Sequence, residues 1–376
     1  MKQEHKDIQK VLPYGEELKG FVNQKFLSSA ELHRILKERG VFALNSEKDF
    51  TAPLLQTLLL SPKEFDKIRE SFSTKEENKK VFSRDIQWNR DIQIFSSDTL
   101  NIEVNDFIKQ KLPTCTLKQP IRLIQVENNP NHLKAEFTIE RNDLNKFWYE
   151  QTNVFGGSIE FINEDNGKGR VVISHTAPET KELAEFAVKE QIKKYKEKGV
   201  VPQNEELRKI VFNEFTNEER FVFFFRLTNH LKCDFFECEN IRDISMKPEE
   251  SVLPEEINWM EDMNKIILSG KALGEKFFIK DKKFHKHLIL WKLESLYKYK
   301  YKGQEGQYTV GMGFPDFDKP TAEFELNISS INPSQTIDTR TRKILKSDLL
   351  SEMDRQKSIV YNNFIEYKNN NSKNNA

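Results

Sequence analysis

Near residue 100 the spacing of apolar residues changes from three-or-four to two, and this change most constrains what the chain can fold into. A repeat of 3.6 residues lays apolar side chains along one face of a helix, whereas a repeat of two sends them to one face of a strand. The segment before the change reads as helical over about residues 10–72. Pro13 and Gly15 open it, and Leu18, Phe21 and Val22 recur at helical spacing. Ser28 and Ser29 are N-cap candidates for a helix carrying Leu32, Ile35 and Leu36, with Gly40 as its stop. A third helix is expected to hold Leu54, Leu55, Leu58 and Leu59. Ser61-Pro62 then starts a fourth, with serine as cap and proline as a tolerated first residue.

Residues 73–92 are polar and read as an exposed connection. Ile121–Val126, Ala135–Ile139, Ser158–Ile162 and Arg170–Ser174 read as strands. The last two flank Asn166-Gly167, a pair that tolerates the positive φ of a hairpin turn. A long amphipathic helix with Pro178 in its first turn and Gly199 at its end follows, then a second helix over Asn204–Phe215. The Phe-rich run Thr216–Leu231 is helix or buried strand, because periodicity does not arbitrate so dense an apolar run. Strands are expected to about Ile331, a terminal helix over Lys346–Tyr367 and a disordered tail over Asn369–Ala376. No internal repeat is legible. The fold class is therefore α+β, divided as a helical module (1–72), a linker (73–99), a mixed domain (100–345) and a C-terminal helix with an Asn-rich tail (346–376).

Function is constrained first by exclusion. The 59 basic and 59 acidic residues cancel, so the chain as a whole is no polyanion binder. Cys115, Cys233 and Cys238 are too few and too irregular for a disulfide scaffold, which points to a reducing compartment. No apolar stretch suggests a membrane span or secretory signal, and a cytoplasmic location is expected. Gly311-Met-Gly313-Phe-Pro315 lacks the third glycine of a dinucleotide loop and reads as a turn. His285 and His287 would share a strand face but have no third ligand, so no metal or other cofactor is expected. Pro315-Asp316 with Glu323-Phe324-Glu325 faintly echoes a PD-(D/E)xK nuclease, yet Glu325 stands where lysine is needed. The 29 phenylalanines read as core packing, with a hydrophobic docking surface as the alternative.

Charge is segregated locally. Glu237–Asp262 carries nine acids against two bases, and Lys271–Lys302 ten bases against three acids. Within the basic block, Tyr297, Tyr299 and Tyr301 alternate with Lys298, Lys300 and Lys302, which a strand would send to opposite faces. One reading is an amphipathic strand with solvated lysines. The other is a nucleic-acid track in which Lys283, Lys286, Lys298, Lys300 and Lys302 neutralise phosphates, with Phe277, Phe278, Phe284 and Trp291 as stacking surfaces. The acidic block is also placed to pair with the basic one.

Ser28 to Val41, followed by Asn45–Lys48 and Leu54–Leu60, resembles a SAP-type helix–turn–helix. In that motif Arg34, Lys37, Arg39 and Lys48 would meet the DNA backbone. The wider string is Leu12–Leu18, Ile35–Phe42 and Leu58–Phe65. It resembles the N-terminal domain of the second, non-nuclease subunit of a two-gene bacterial anti-phage system from gamma-mobile-trio elements. The resemblance implies a PD-(D/E)xK-type partner, a complex with two copies of each subunit and sensing of invading DNA, its ends included. It also implies nuclease output against tRNA from the partner, with no catalysis by this chain. The competing expectations are a nuclease using Asp316, Glu323 and Glu325, and a pure protein scaffold.

Overall fold

The computed structural model describes residues 12–23, 27, 29–45, 47–65, 68, 78–89, 94, 100–142, 152–163, 167–229, 231, 233–249 and 252–374. The expected cap Ser28 and the turn residue Asn166 lie outside these. The fold is α+β, with a helical N-terminal segment, a large antiparallel sheet and a long C-terminal helix.

The N-terminal segment comprises α1 (Glu16–Val22), α2 (Ser29–Glu38), α3 (Lys48–Gln56) and the helical turn α4 (62–65). Leu18, Phe21, Leu32, Ile35, Leu36, Leu55, Phe65 and Ile68 bury together as a core of their own. Gly40 does end α2, at φ 73°, where the left-handed backbone lets the Val41 N–H turn back to Leu36 O at 2.9 Å. Leu58 and Leu59 lie beyond the end of α3, and Leu59 is exposed. At α4 the expected cap is complete. Glu64 Oε2 accepts from the Ser61 N–H at 2.7 Å and Ser61 Oγ at 2.6 Å, with Pro62 at the first helical position.

The expected connection is overturned at its centre, because β1 (Lys80–Gln87) is the middle strand of the sheet. The first half then runs β2 (Asn101–Ile102), α5 (Asn105–Lys111), β3 (Cys115–Leu117), β4 (Ile121–Arg122), β5 (Ile124–Val126), β6 (Asn129–Asn142), β7 (Thr152–Asn163), β8 (Lys168–His175) and α6 (Pro178–Glu197). The second half runs α7 (Asn217–Asn229), β9 (Phe236–Pro248), β10 (Ile266–Ser269), α8 (Phe277–Lys280), β11 (Leu288–Tyr301), β12 (Gln304–Gly313), β13 (Glu325–Pro333) and α9 (Thr339–Asn374). The dense Phe run is thus a helix, α7. The helix expected over Asn204–Phe215 is instead irregular chain with one 3-10 turn, Phe212–Glu214, and isolated bridges at Arg208 and Val211. The backbone of α9 stays helical through Asn374, where a disordered tail was expected.

Across the sheet the order is β10-β9-β11-β12-β13-β1-β8-β7-β6-β3, with β5 beside β6 and a separate β2–β4 pair. Setting aside β2, β4, β5, β10 and α8, each half is a helix, four strands placed in the sheet in chain order, and a long helix that packs on the first. In one half this is α5-β3-β6-β7-β8-α6 and in the other α7-β9-β11-β12-β13-α9, arranged in mirrored order about β1. Phe107 of α5 stacks on Phe186 of α6 at 4.2 Å, and Phe223 of α7 meets Tyr361 of α9 at 6.0 Å. An internal repeat of architecture exists where none was legible, because strand order does not require matching side chains.

β1 serves both halves. Phe82 and Ile86 enter the core of the first, with Ile159, Phe161, Val171, Leu183 and Tyr195. Val81 enters the core of the second, with Phe223, Tyr297, Tyr308, Leu326 and Phe364. Alternation along the strand puts α6 on one side of β1 and α9 on the other. β1 pairs with β8 along its whole length but with β13 only at Lys80 and Val81, so little backbone pairing joins the halves on that side.

Candidate functional site

The candidate nucleic-acid residues fall in two regions of the chain. In the N-terminal segment Arg34 and Lys37 are exposed on α2 and have no carboxylate partner among the described residues. Arg39 is exposed too but already paired. Its Nε and Nη2 reach the two oxygens of Glu64 at 2.5 Å, and Nη2 also donates to Leu59 O at 2.6 Å. The Arg39 hydrogen bonds hold the Glu64 carboxyl down at about 2 despite its partial burial. Lys48 Nζ donates to Leu27 O at 2.9 Å, which ties the start of α3 to the approach to α2.

The second group lies on or beside β11, with Lys298 and Lys300 on its outward face and Lys283 and Lys286 in the 3-10 turn Lys282–His287 that precedes it. Tyr297 and Tyr299 point inward and are buried, Tyr301 is half-buried, and Lys298 and Lys300 are exposed on the other face. Lys302 departs from this alternation. It occupies the two-residue turn between β11 and β12, with φ 47° followed by 76° at Gly303, a hairpin turn of the type that matches strand twist. The acidic and basic blocks do meet, because β9 pairs with β11. Lys298 lies 3.0 Å from Glu239 and Lys283 lies 2.9 Å from Glu256, while Lys302 reaches Asp348 of α9 at 2.9 Å. Lys286 and Lys300 are exposed without a carboxylate partner among the described residues. A groove of about 810 Å³ runs beside Lys298 and Lys300, but Asp234, Glu237 and Glu305 line it too. Of the aromatic candidates, Phe278, Phe284 and Trp291 are buried and Phe277 is exposed.

The histidines do not share a strand face. They lie in the 3-10 turn Lys282–His287, where His285 stacks on Phe221 at 4.0 Å and its Nε2 donates to Ile279 O at 2.8 Å. No group of three or more His, Cys, Asp or Glu is arranged to hold a metal among the described residues. Gly311 and Gly313 are strand residues of β12, not a turn. A Cβ at Gly313 would stand 2.3 Å from Trp291 O, so glycine there serves close strand packing.

The carboxylates of the nuclease-like string are separated in role. Asp316 is exposed, whereas Glu323 and Glu325 are buried at the seam between the halves. Arg84 of β1 grips Glu323 with Nε at 2.9 Å and Nη2 at 2.8 Å, and its Nη2 also contacts Glu185 of α6. Glu325 receives Lys181 Nζ at 2.6 Å, with His175 Nε2 at 3.6 Å. Burial would raise the Glu325 carboxyl, but the His175 ring and the Lys181 ammonium outweigh it and hold the group at about 2. The Glu325 carboxyl is therefore charged, and both carboxylates already sit against cations, an arrangement that fastens this segment to β1, β8 and α6 rather than presenting open ligand positions. Nothing in the local sequence around Arg84, His175 or Lys181 signals this seam, since its partners come from β1, β8, α6 and the start of β13.

No helix among the described residues is long and apolar enough to cross a membrane. No curated protein and no solved structure matches the chain. Residues 16–78 match the family model for the GAPS4b protein N-terminal domain, a segment covering less than one fifth of the chain. That match fits a subunit of an anti-phage defence system of the gamma-mobile-trio kind.

Proposed function

We propose that this chain is the nucleic-acid-sensing and scaffold subunit of a bacterial anti-phage complex, cytoplasmic and without catalysis of its own. It binds DNA and controls a partner with a PD-(D/E)xK-type fold that cleaves tRNA, in a complex with two copies of each subunit. The observation that carries this reading is the match of residues 16–78 to the GAPS4b N-terminal domain. Two features support it. Glu323 and Glu325 are committed to Arg84, Lys181 and His175, which argues against a nuclease centre built on them. The exposed Arg34, Lys37, Lys286 and Lys300 leave cations available to phosphates, and the exposed Phe42, Leu44, Phe50 and Leu59 give the N-terminal segment apolar surface for a partner.

Co-expression with the product of a neighbouring nuclease-fold gene tests the assembly. The two are expected to co-purify, and a chain that ignores that partner overturns the reading. For DNA, Lys298→Glu with Lys300→Glu is expected to weaken binding and lower the slope of log affinity against log salt by about 1–2, since each phosphate contact contributes roughly 0.9. Most of that loss is expected from Lys300, because Lys298 already faces Glu239, and Lys283→Glu and Lys302→Glu are expected to do less, because their ammoniums face Glu256 and Asp348. An unchanged slope in the Lys298/Lys300 pair removes β11 from the interface.

A further inference from the structure

A cavity of about 360 Å³ opens on the face of β1 and β8 that α6 leaves uncovered. Three separate elements build it. Strand alternation sends Asp85 and Gln87 of β1 to this face, and the antiparallel register sets Arg170 opposite Asp85 and Lys168 opposite Gln87. α9 adds Arg355, Ser358, Ile359 and Asn362, spaced as i, i+3, i+4 and i+7 and so on one helical face. Arg208 is brought in by a two-bond bridge, with the Asp85 N–H donating to Arg208 O at 3.0 Å and the Arg208 N–H to Asp85 O at 2.8 Å.

The walls carry four cations, Lys168, Arg170, Arg208 and Arg355, against the carboxylates of Asp85 and Glu205, and Arg355 is already held by Glu352 of α9 at 2.6 Å. Glu205 is already engaged, accepting the Gln87 N–H at 3.2 Å. Lys168 and the Arg208 guanidinium are exposed and have no carboxylate partner among the described residues. Behind the wall, Arg170 Nη1 stands 3.8 Å from Asp354, whose charge Lys357 meets at 2.7 Å. Lys357 also donates to Ser83 Oγ at 2.9 Å, so this buried network pins α9 to β1 and holds the cavity's two sides at a set distance.

We propose that this cavity binds a phosphomonoester of nucleotide size. Lys168 and Arg208 bring two cations that no carboxylate among the described residues neutralises, matching the phosphate dianion, and a guanidinium fork pairs with phosphate oxygens through parallel hydrogen bonds. The volume sits at the lower end of small-molecule cavities, which run from about 300 to 1,000 Å³, enough for one nucleotide and too little for a duplex. Ile359 offers apolar surface beside the cations, where a sugar or base would lie. Its lining includes none of the β11 lysines or the N-terminal candidates, so a failure here leaves the function proposed above standing.

The test titrates the full-length chain with 5′-mononucleotides of the four bases, with the corresponding nucleosides as controls and inorganic phosphate as competitor. A mononucleotide is expected to bind and its nucleoside not to. Lys168→Gln with Arg208→Gln, both at exposed positions, is expected to weaken binding at least tenfold, and Arg208→Lys to give a smaller loss. Two single-stranded oligonucleotides, one with a 5′-phosphate and one with a 5′-hydroxyl, then identify the source. Displacement of the mononucleotide by the phosphate-ended strand alone assigns the site to a strand terminus, and displacement by neither assigns it to a free nucleotide. Equal displacement by both would mean that phosphodiesters suffice and overturns the proposal. So does unaltered affinity in the double variant, or no binding by any phosphorylated probe.

Discussion

Replacing Arg84 by methionine removes the cation at the seam while keeping a long apolar side chain on β1. In the native protein Arg84 makes two hydrogen bonds to Glu323, at 2.9 and 2.8 Å, and a further one to Glu185. Arg84 and Glu323 are nearly out of water, with side-chain exposures of 5% and 6%, whereas Glu185 is 36% exposed. The two losses therefore differ in size. Glu185 rehydrates, and its share is at most about 1 kcal/mol. Glu323 would be left as a buried carboxylate, with Lys209 at 3.9 Å as its one remaining cation among the described residues, and stranding one member of a buried pair costs about 3–5 kcal/mol. The expected total is about 4 kcal/mol. Removing the stranded charge as well, in Arg84→Met with Glu323→Leu, should recover most of this, since two well-packed apolar groups often replace a buried pair without loss.

Urea unfolding of the wild type, both single variants and the double variant measures the coupling directly. Trp88 in the first core and Trp291 in the second provide a fluorescence reporter on each side of the seam. Because the seam joins two cores, Arg84→Met is also expected to separate the two reporters' transitions, which a single cooperative unit would keep together. A cost below about 1 kcal/mol for Arg84→Met refutes the reasoning. A double variant less stable than either single one does so equally, because the pair would then be a net stabiliser in its own right.

Acid should loosen the same seam through Glu325. Its carboxyl is held at about 2 rather than an ordinary 4.5, so the native state favours the charged form. The stabilisation is fully present above pH 4.5 and is lost as pH falls towards 2, at most about 3 kcal/mol from the size of that shift. Glu325→Gln should flatten the stability profile between pH 5 and 3, and a profile of unchanged steepness would assign the acid sensitivity elsewhere. Gly169→Ala tests close packing in the first core, on the α6 side of β1. A Cβ there would stand 1.1 Å from Trp88 Nε1, and Trp88 is fixed edge-on against Tyr195 at 5.4 Å. A loss of roughly 3 kcal/mol is expected for such overpacking, visible as a lower melting temperature and relieved by Trp88→Leu in the same chain.

Much of the local structure was legible in the residues. Gly40 and Gly199 end helices because each adopts a left-handed φ that other residues resist, and Ser61-Pro62 with Glu64 satisfies the first N–H groups of a helix within four residues. The alternation of Tyr297 and Tyr299 with Lys298 and Lys300 assigned the two faces of β11 correctly, since strand geometry has period two wherever the strand is placed. These features depend on neighbours in the chain, so the chain alone specifies them.

What only the tertiary structure decided is the centre of the molecule. Lys80-Val-Phe-Ser-Arg-Asp-Ile-Gln87 is too polar to read as a middle strand, because apolar runs are the ordinary signature of strands covered on both faces. It is buried nonetheless, since Lys357 meets Ser83 from α9 and Glu323 meets Arg84 from just before β13, more than 200 positions away in each case. The mirrored order of the two halves about this strand, and the convergence of Lys168, Arg170, Arg208 and Arg355 on one cavity, are decided in the same way. A buried charge becomes tolerable only when a partner arrives to neutralise it. That partner's identity is a property of the folded chain, which no local window of the sequence contains.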